Sequence, residues 1–155
     1  SEDFPEKAKL GPHDIITFED YEEGMAYAKE QNLPVLLDFT GYACINCRKM
    51  EERVWSEPQV LSKLKNDVVL ISLYVDAKES LPENEQYTSE TTGKRIRTIG
   101  NKWSDFQIRE YGANAQPYYI ILNHEEQPLN EPVGYTPDVE EYTAWLDKGI
   151  ENFKK

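Results

Sequence analysis

The stretch Pro34-Val-Leu-Leu-Asp-Phe-Thr-Gly-Tyr-Ala-Cys-Ile-Asn-Cys-Arg-Lys-Met-Glu51 constrains this chain more than any other. A nearly continuous apolar run, Val35 to Phe39, enters a polar turn and then a helix. A short apolar run bounded by turn signals suits a strand buried on both faces. Asp38 is the anomaly inside it. The only two cysteines, Cys44 and Cys47, fall where the helix should begin. A C-x-x-C pair can close a small disulfide within one helical turn and open it again. At a helix N-terminus, unpaired N–H groups and the positive end of the macrodipole favour thiolate over thiol. Thiolate is the nucleophile of thiol–disulfide exchange, so the expectation is a redox domain.

A chain of 155 residues holds one domain with a real core, and needs neither a disulfide framework nor a structural metal to fold. Hydrophobic residues at 39% and charged residues at 30% mark it as globular rather than disordered. No apolar run reaches the length of a membrane span, and the start has no signal-peptide pattern. The expectation is a soluble domain, mature or excised from a larger protein; Ser1 in place of Met fits excision or a cloning remnant and proves neither. The net charge of −12, from 29 acids against 17 bases, argues against nucleic acid and anionic membranes, which demand a basic footprint. The acidity is read as solubility.

Residues 1–14, with Pro5, Gly11, Pro12 and little periodicity, read as an arm or linker before a domain spanning 15–155. Ile15, Ile16 and Phe18 suit a short edge strand. Asp20 to Gln31 reads as a helix capped by Asp20, with Tyr21, Met25 and Ala28 on one face, and Asn32 and Pro34 ending it. The cysteine helix continues from Arg48 to Val54. Another starts with Ser56 as cap and Pro58 in its first turn, burying Val60, Leu61 and Leu64. Val68 to Val75 is the second strong strand, and strand–helix–strand at this spacing predicts a parallel pair. Asp76 to Gly100 reads as an inserted polar loop with a local hairpin at Thr92-Gly93-Lys94. Lys102 to Tyr111 is then helical, with Trp103, Phe106 and Tyr111 inward and Gly112 as a left-handed cap. Tyr118 to Leu122 is a third strand, and residues 129–135, broken by Pro132, make a fourth at an edge. Asp138 to Phe153 closes the chain as a helix with Val139, Tyr142, Trp145, Leu146 and Ile150 on one face.

Cys44, first in the motif, is the expected attacking thiol, and Cys47, one turn in, the resolving one. Two other readings compete: half of a zinc site, which needs further ligands that His13 and His124 are too scattered to supply, or a pair of inert buried cysteines. A carboxyl buried at Asp38 should have a raised pKa and can exchange a proton with Cys47; the competing reading is a strand acid held by a hydrogen bond. Glu51, four residues after Cys47, is on its own a solvated helix acid. Gln116-Pro117 precedes a strand, and sequence physics alone does not make its peptide bond cis. Tyr42 and Tyr118 are placed at the surface near the sulfurs, against a reading as loop and edge packing.

Together these residues resemble a thioredoxin-fold domain, and more narrowly the C-terminal periplasmic domain of the DsbD family of thiol:disulfide interchange proteins. The likeness covers about residues 32 to 150. It lies in the strand and C-x-x-C helix quoted above, in Trp55-Ser-Glu-Pro-Gln-Val-Leu, in Gln116-Pro117 at the place of the fold's cis-proline, and in Gly134. The resemblance implies an α/β fold with a central mixed β-sheet and helices on both faces. It implies that Cys44 is nucleophile, Cys47 resolving partner, Asp38 the buried acid that tunes them and Glu51 a second acid. Pro117, if cis, would lie against the disulfide, with the backbone of Gln116 free to pair with an incoming strand. Tyr42, Ala43, Ile45, Asn46, Gln116, Pro117 and Tyr118 are thus the expected partner-binding residues. Ala43 stands where thioredoxins have Trp, Ile45-Asn46 where they have Gly-Pro, and the insertion at about 76–100 is longer than in the smallest members.

The implied activity is protein-disulfide reduction on thioredoxin-like or other extracytoplasmic protein partners. The implied place is the periplasm, as a domain of a larger inner-membrane protein whose transmembrane part donates electrons. No added cofactor and no metal are expected, since the cysteine pair is the redox couple; the chain is expected to act as a monomer. The alternatives are a disulfide oxidase or isomerase and a non-catalytic thioredoxin-fold binding module.

Overall fold

Val35–Thr40 (β3) is buried at every position, and the sheet is arranged around it. The computed structural model describes residues 4–155, so Ser1 to Asp3 of the expected arm lie outside the described residues. Further strands are Lys9–Leu10 (β1), Ile16–Phe18 (β2), Val69–Tyr74 (β4), Tyr87–Thr88 (β5), Arg95–Ile96 (β6) and Tyr118–Leu122 (β7). The helices are Tyr21–Gln31 (α1), Ile45–Arg53 (α2), Pro58–Asn66 (α3), Ile99–Tyr111 (α4) and Val139–Phe153 (α5). The main sheet runs β1-β2-β4-β3-β7. β3 is parallel to β4 and antiparallel to β7, so the sheet is mixed.

Side chains alternate across β3, and the two faces bury different cores. Val35, Leu37 and Phe39 join Tyr21, Met25 and Ala28 of α1 and Trp103 of α4. Leu36 faces the other way, against Met50 of α2, Val60 and Leu64 of α3, and Tyr142, Leu146 and Ile150 of α5. Asp38 and Thr40 share the alternation of Leu36 and are buried on that second face. The helix starts follow local chemistry. Asp20 Oδ2 accepts from Glu23 N at 3.1 Å, Asp138 Oδ1 accepts from Glu141 N at 3.0 Å, and Asn32 ends α1 in the left-handed region.

The structure revises several boundaries. Residues 9–10 of the expected arm are a strand: Lys9 pairs with Thr17 and Leu10 with Ile16, so β2 is covered rather than an edge. Both β1 side chains are exposed, which is why no apolar signal marked them. Ser56 does not cap α3. Its hydroxyl donates to Glu52 O at 2.7 Å, and Glu57 occupies the cap position before Pro58. α4 begins at Ile99 rather than Lys102, because Thr98 and Asn101 cap each other reciprocally. Residues 129–135 form no strand; the backbone pairs with β7 through isolated bridges, Val133 with Tyr119 and, just before the segment, Pro128 with Leu122. Pro128 and Pro132 have no N–H to donate, and a continuous ladder cannot form.

The insertion is ordered. β5 and β6 form a hairpin, Tyr87 opposite Ile96, with Gly93 of the expected turn at φ +77°. Asp105 of α4 fastens it from below, accepting from Tyr87 Oη at 2.6 Å, Ser89 Oγ at 2.5 Å and Arg109 at 3.3 Å. Asp105→Ala leaves the buried Ser89 hydroxyl without this acceptor and should cost about 1–3 kcal/mol. Denaturant unfolding measures that loss, and limited proteolysis should show faster cleavage at Lys94 and Arg95.

Candidate active site

β3 ends at Thr40, and after a three-residue turn the chain enters α2 through Cys44, which is the N-cap. Its sulfur takes the place that a Ser or Asp oxygen fills at other helix starts, accepting from Cys47 N at 3.2 Å. Cys44 and Cys47 are disulfide-bonded, with Cα atoms 5.3 Å apart. Cys47 is 1% exposed, whereas Cys44 is partly open and flanked by exposed Ile45 and Asn46. The outer sulfur can be reached by a partner and the inner one cannot. No acidic residue stands in the first turn of α2, so no side-chain charge from that turn offsets the positive end of its dipole.

Beneath this helix lies a polar cluster in an otherwise apolar face. Asp38 pairs in register with Ser72 of β4 and Tyr119 of β7. Ser72 Oγ donates to Asp38 Oδ2 at 2.9 Å. Burial drives the Asp38 pKa up to about 7; the Ser72 hydrogen bond and Arg48 pull it down, and Glu51 pushes it up. Both charges acting on it, Arg48 and Glu51, belong to α2. Arg48 donates to Glu51 Oε2 at 2.9 Å and to Thr40 Oγ1 at 3.1 Å. Burial raises the Glu51 pKa against the pull of Arg48. Glu51 is therefore half-buried and paired, not the solvated acid its helix position alone describes. Tyr74, opposite Thr40, has its phenol pushed up to about 12, first by burial and then by Asp38 and Glu51.

The other expected site residues gather at the same end of the sheet. Phe39 pairs with Tyr118, so Pro117 stands beside the end of β3 from which the cysteine turn departs. The Gln116–Pro117 bond is cis. Tyr42 is 56% exposed and stacks on Tyr74, ring centroids 4.1 Å apart. Ala43 is exposed beside it, and Ile45 is 72% exposed. Tyr118 is only half-buried, but its ring packs with the core on the α1 and α4 side, the face opposite Asp38. A Cβ at Gly134 would meet Pro117 O at 3.5 Å, an ordinary contact.

Sequence reasoning missed Ser72, Arg48, Thr40 and Gln107. Gln107 is fully buried; its Nε2 donates to Ala115 O at 3.0 Å, and its Oε1 accepts from Gln116 Nε2 at 2.9 Å. It thus ties down the loop before the cis-proline. Ser72 did leave a signal, a polar residue inside an apolar strand as Asp38 is, but only the register joins the two. His13 is remote from the cysteines in sequence, yet its Nε2 lies 2.6 Å from Glu51 O on α2. His124 bonds the Leu33 carbonyl, and among the described residues no three His, Cys, Asp or Glu side chains converge as metal ligands.

A family profile described as a thioredoxin-like domain matches residues 21–150. No curated protein sequence matches the chain. Among solved structures it is similar to the DsbH oxidoreductase, with a TM-score of 0.60 at 17% identity over 86% of this chain and 83% of that one. A thioredoxin from Thermus thermophilus gives 0.58 at 21%, covering 83% and 82%. The reduced C-terminal domain of DsbD from Neisseria meningitidis gives 0.55 at 17%, covering 83% and 92%. At these identities the likeness is one of fold: a thioredoxin-like disulfide oxidoreductase fold carrying a C-x-x-C disulfide.

The buried acid makes stability depend on pH. The Asp38 pKa near 7 lies above its ordinary 3.8, so the folded chain binds the proton more tightly than the unfolded one. Its contribution is fully present below about pH 4 and is lost as pH rises through 7, on the order of 4 kcal/mol. Asp38→Asn is neutral throughout and should escape this loss. Unfolding by denaturant from pH 4 to pH 8 should show the variant gaining on the parent chain as pH rises; parallel curves would disprove the buried titration.

Proposed function

The chain belongs to the thioredoxin-like domain family, and on that premise we propose that it is a protein-disulfide reductase exchanging electrons through Cys44 and Cys47. One observation carries the reading: a partly exposed sulfur at a helix start is joined to a buried one, and the same helix carries the charges that act on a buried acid poised near neutrality. In the reducing direction the Cys44 thiolate attacks one sulfur of a partner's disulfide. A Cys44–partner bond forms, the partner's S–S bond breaks, and its second sulfur leaves as thiolate. Cys47 then gives up its proton to the Asp38 carboxylate and attacks Cys44 Sγ. The Cys44–Cys47 disulfide forms, the partner's first sulfur is released, and the partner has gained two electrons. Glu51 and Arg48 tune the acid; they do not touch the partner.

The partners are protein thiols and disulfides, including thioredoxin-like ones, in an extracytoplasmic compartment such as the periplasm. Tyr42, Ala43, Ile45 and Asn46 give the attacking sulfur an exposed, mostly apolar surround. The backbone of Gln116, before cis-Pro117, pairs with the partner's extended segment, with Tyr118 next along the chain. No cofactor beyond the disulfide takes part, and the domain acts as a monomer that a membrane-embedded part of a longer chain re-reduces. A second reading, an oxidase, draws on the acid-free first turn of α2, since a strongly stabilised thiolate makes an oxidant.

The reduction potential of the pair, set by equilibration with dithiothreitol or glutathione, separates the two. A value near about −270 mV supports the reductase, and one near about −120 mV reverses the direction. Cys47→Ser should trap a mixed disulfide with a protein substrate through Cys44. Partner binding that persists unchanged in Cys44→Ser, without any exchange in the parent chain, would instead identify a binding module.

A further inference from the structure

Beyond Tyr74 the chain leaves the sheet beside the point where the Gly41–Ala43 turn also leaves it, since Thr40 pairs with Tyr74. Two residues on, Asp76 directs its carboxylate onto that turn. Oδ1 accepts from Tyr42 N at 2.9 Å and Oδ2 from Ala43 N at 3.1 Å. One carboxylate thus holds the two consecutive amides that precede Cys44. Hydrogen bonds to an ionised acceptor are roughly twice as strong as neutral ones. Gly41 admits the approach: a Cβ there would stand only 3.2 Å from Asp76 Oδ2. The turn is closed by Cys44 N donating to Gly41 O at 3.2 Å, and the Tyr42 ring rests on Tyr74.

Asp76 is itself held from behind. Val75 N donates to Thr40 O at 3.0 Å, and Gly100 N, in the first turn of α4, donates to Ala77 O at 3.0 Å. A Cβ on Gly100 would lie 2.7 Å from Val75 O and from the backbone of Ala77, so α4 presses directly on residues 75–77. The charged side chains facing Tyr42 are Glu19 and Lys9, paired with each other at 3.0 Å, Glu79, and Asp76. Of these, Asp76 bonds the turn.

We propose that Asp76 is a positioning residue for thiol–disulfide exchange, holding the Tyr42–Ala43 backbone so that Cys44 is presented at the start of α2 while its negative charge restrains the reactivity of that sulfur. The inference rests on the exchange reading given above. Its two parts act in opposite directions. The hydrogen bonds fix where the nucleophile stands, which speeds attack on a partner that must align three sulfurs in line. The charge, one residue from the N-cap, opposes the helix dipole and disfavours the thiolate. A potential held on the reducing side is the consequence, because a less stabilised thiolate makes the dithiol a better reductant.

Asp76→Asn and Asp76→Ala separate the two parts. In the reduced proteins, alkylation of Cys44 by iodoacetamide is followed against pH, and reduction of insulin is timed. Asp76→Asn loses the charge and keeps one of the two acceptor oxygens, hence one of the two hydrogen bonds, where Asp76→Ala keeps neither. It should alkylate about threefold faster at pH 6, with its pH profile shifted to lower pH and its potential more oxidising. Asp76→Ala should share that shift but reduce insulin about tenfold more slowly than Asp76→Asn. An Asn variant whose alkylation profile and potential overlay those of the parent, while the parent still exchanges, overturns the proposal; Asn alone decides the matter if the Ala variant does not fold. A parent chain that never exchanges its disulfide overturns the underlying reading as well.

Discussion

The pairing of β3 with β4 on one side and β7 on the other is the constraint on which the rest depends. β3 is buried at every position, so its backbone polar groups must be satisfied by neighbouring strands. Satisfying them brings three strand ends to one edge of the sheet: Thr40 before the cysteine turn, Tyr74 before the insertion, and Tyr118 after the cis-proline. The candidate site is assembled from these three ends and the loops attached to them. A slip of one residue in the register would turn Asp38 to the α1 side and Leu37 to the α2 side, exchanging an acid for an aliphatic on the face that packs against α2.

The electrostatics of the site come from burial and from α2 together. The helix offers its positive end to Cys44, and its Arg48 and Glu51 act on the buried acid Asp38 of β3. A carboxyl only 2% exposed, on the sheet face that also buries Leu36, has little solvent to stabilise its charge, which is why desolvation outweighs the Ser72 hydrogen bond. Arg48 sits between the two acids' influences, lowering both. The insertion belongs to the same set of contacts: its hairpin is tied to Asp105 of α4, and its first residues bear on the turn before Cys44.

Much of the fold was legible because local and tertiary demands agree. Tyr118–Leu122 reads as a strand and is one; Asp20 and Asp138 cap helices where their side chains fall before amphipathic runs. The failures lie where local signals are weak or ambiguous. The two residues of β1 are both exposed and carry no apolar period. Gly100 is the last residue of the expected loop, yet it stands in the first turn of α4, where a Cβ would lie 2.7 Å from the backbone of residues 75 and 77. Ser56 before Pro58 looks like a cap, and its hydroxyl instead finds the Glu52 carbonyl of the preceding helix.

By itself the sequence determined the strand–turn–helix that carries Cys44 and Cys47, since an apolar run, a polar turn and C-x-x-C are all local and need no partner to be read. It also marked Asp38 as a buried acid, because a carboxyl in an apolar strand has nowhere exposed to go. Tertiary structure alone decided the company these residues keep. Ser72 meets Asp38 across 34 positions of chain, Asp76 meets Tyr42 across the same span, and Gln107 reaches the loop before Pro117. Such pairings follow from strand register and helix placement, and these are set by the whole core at once rather than by any segment's own pattern.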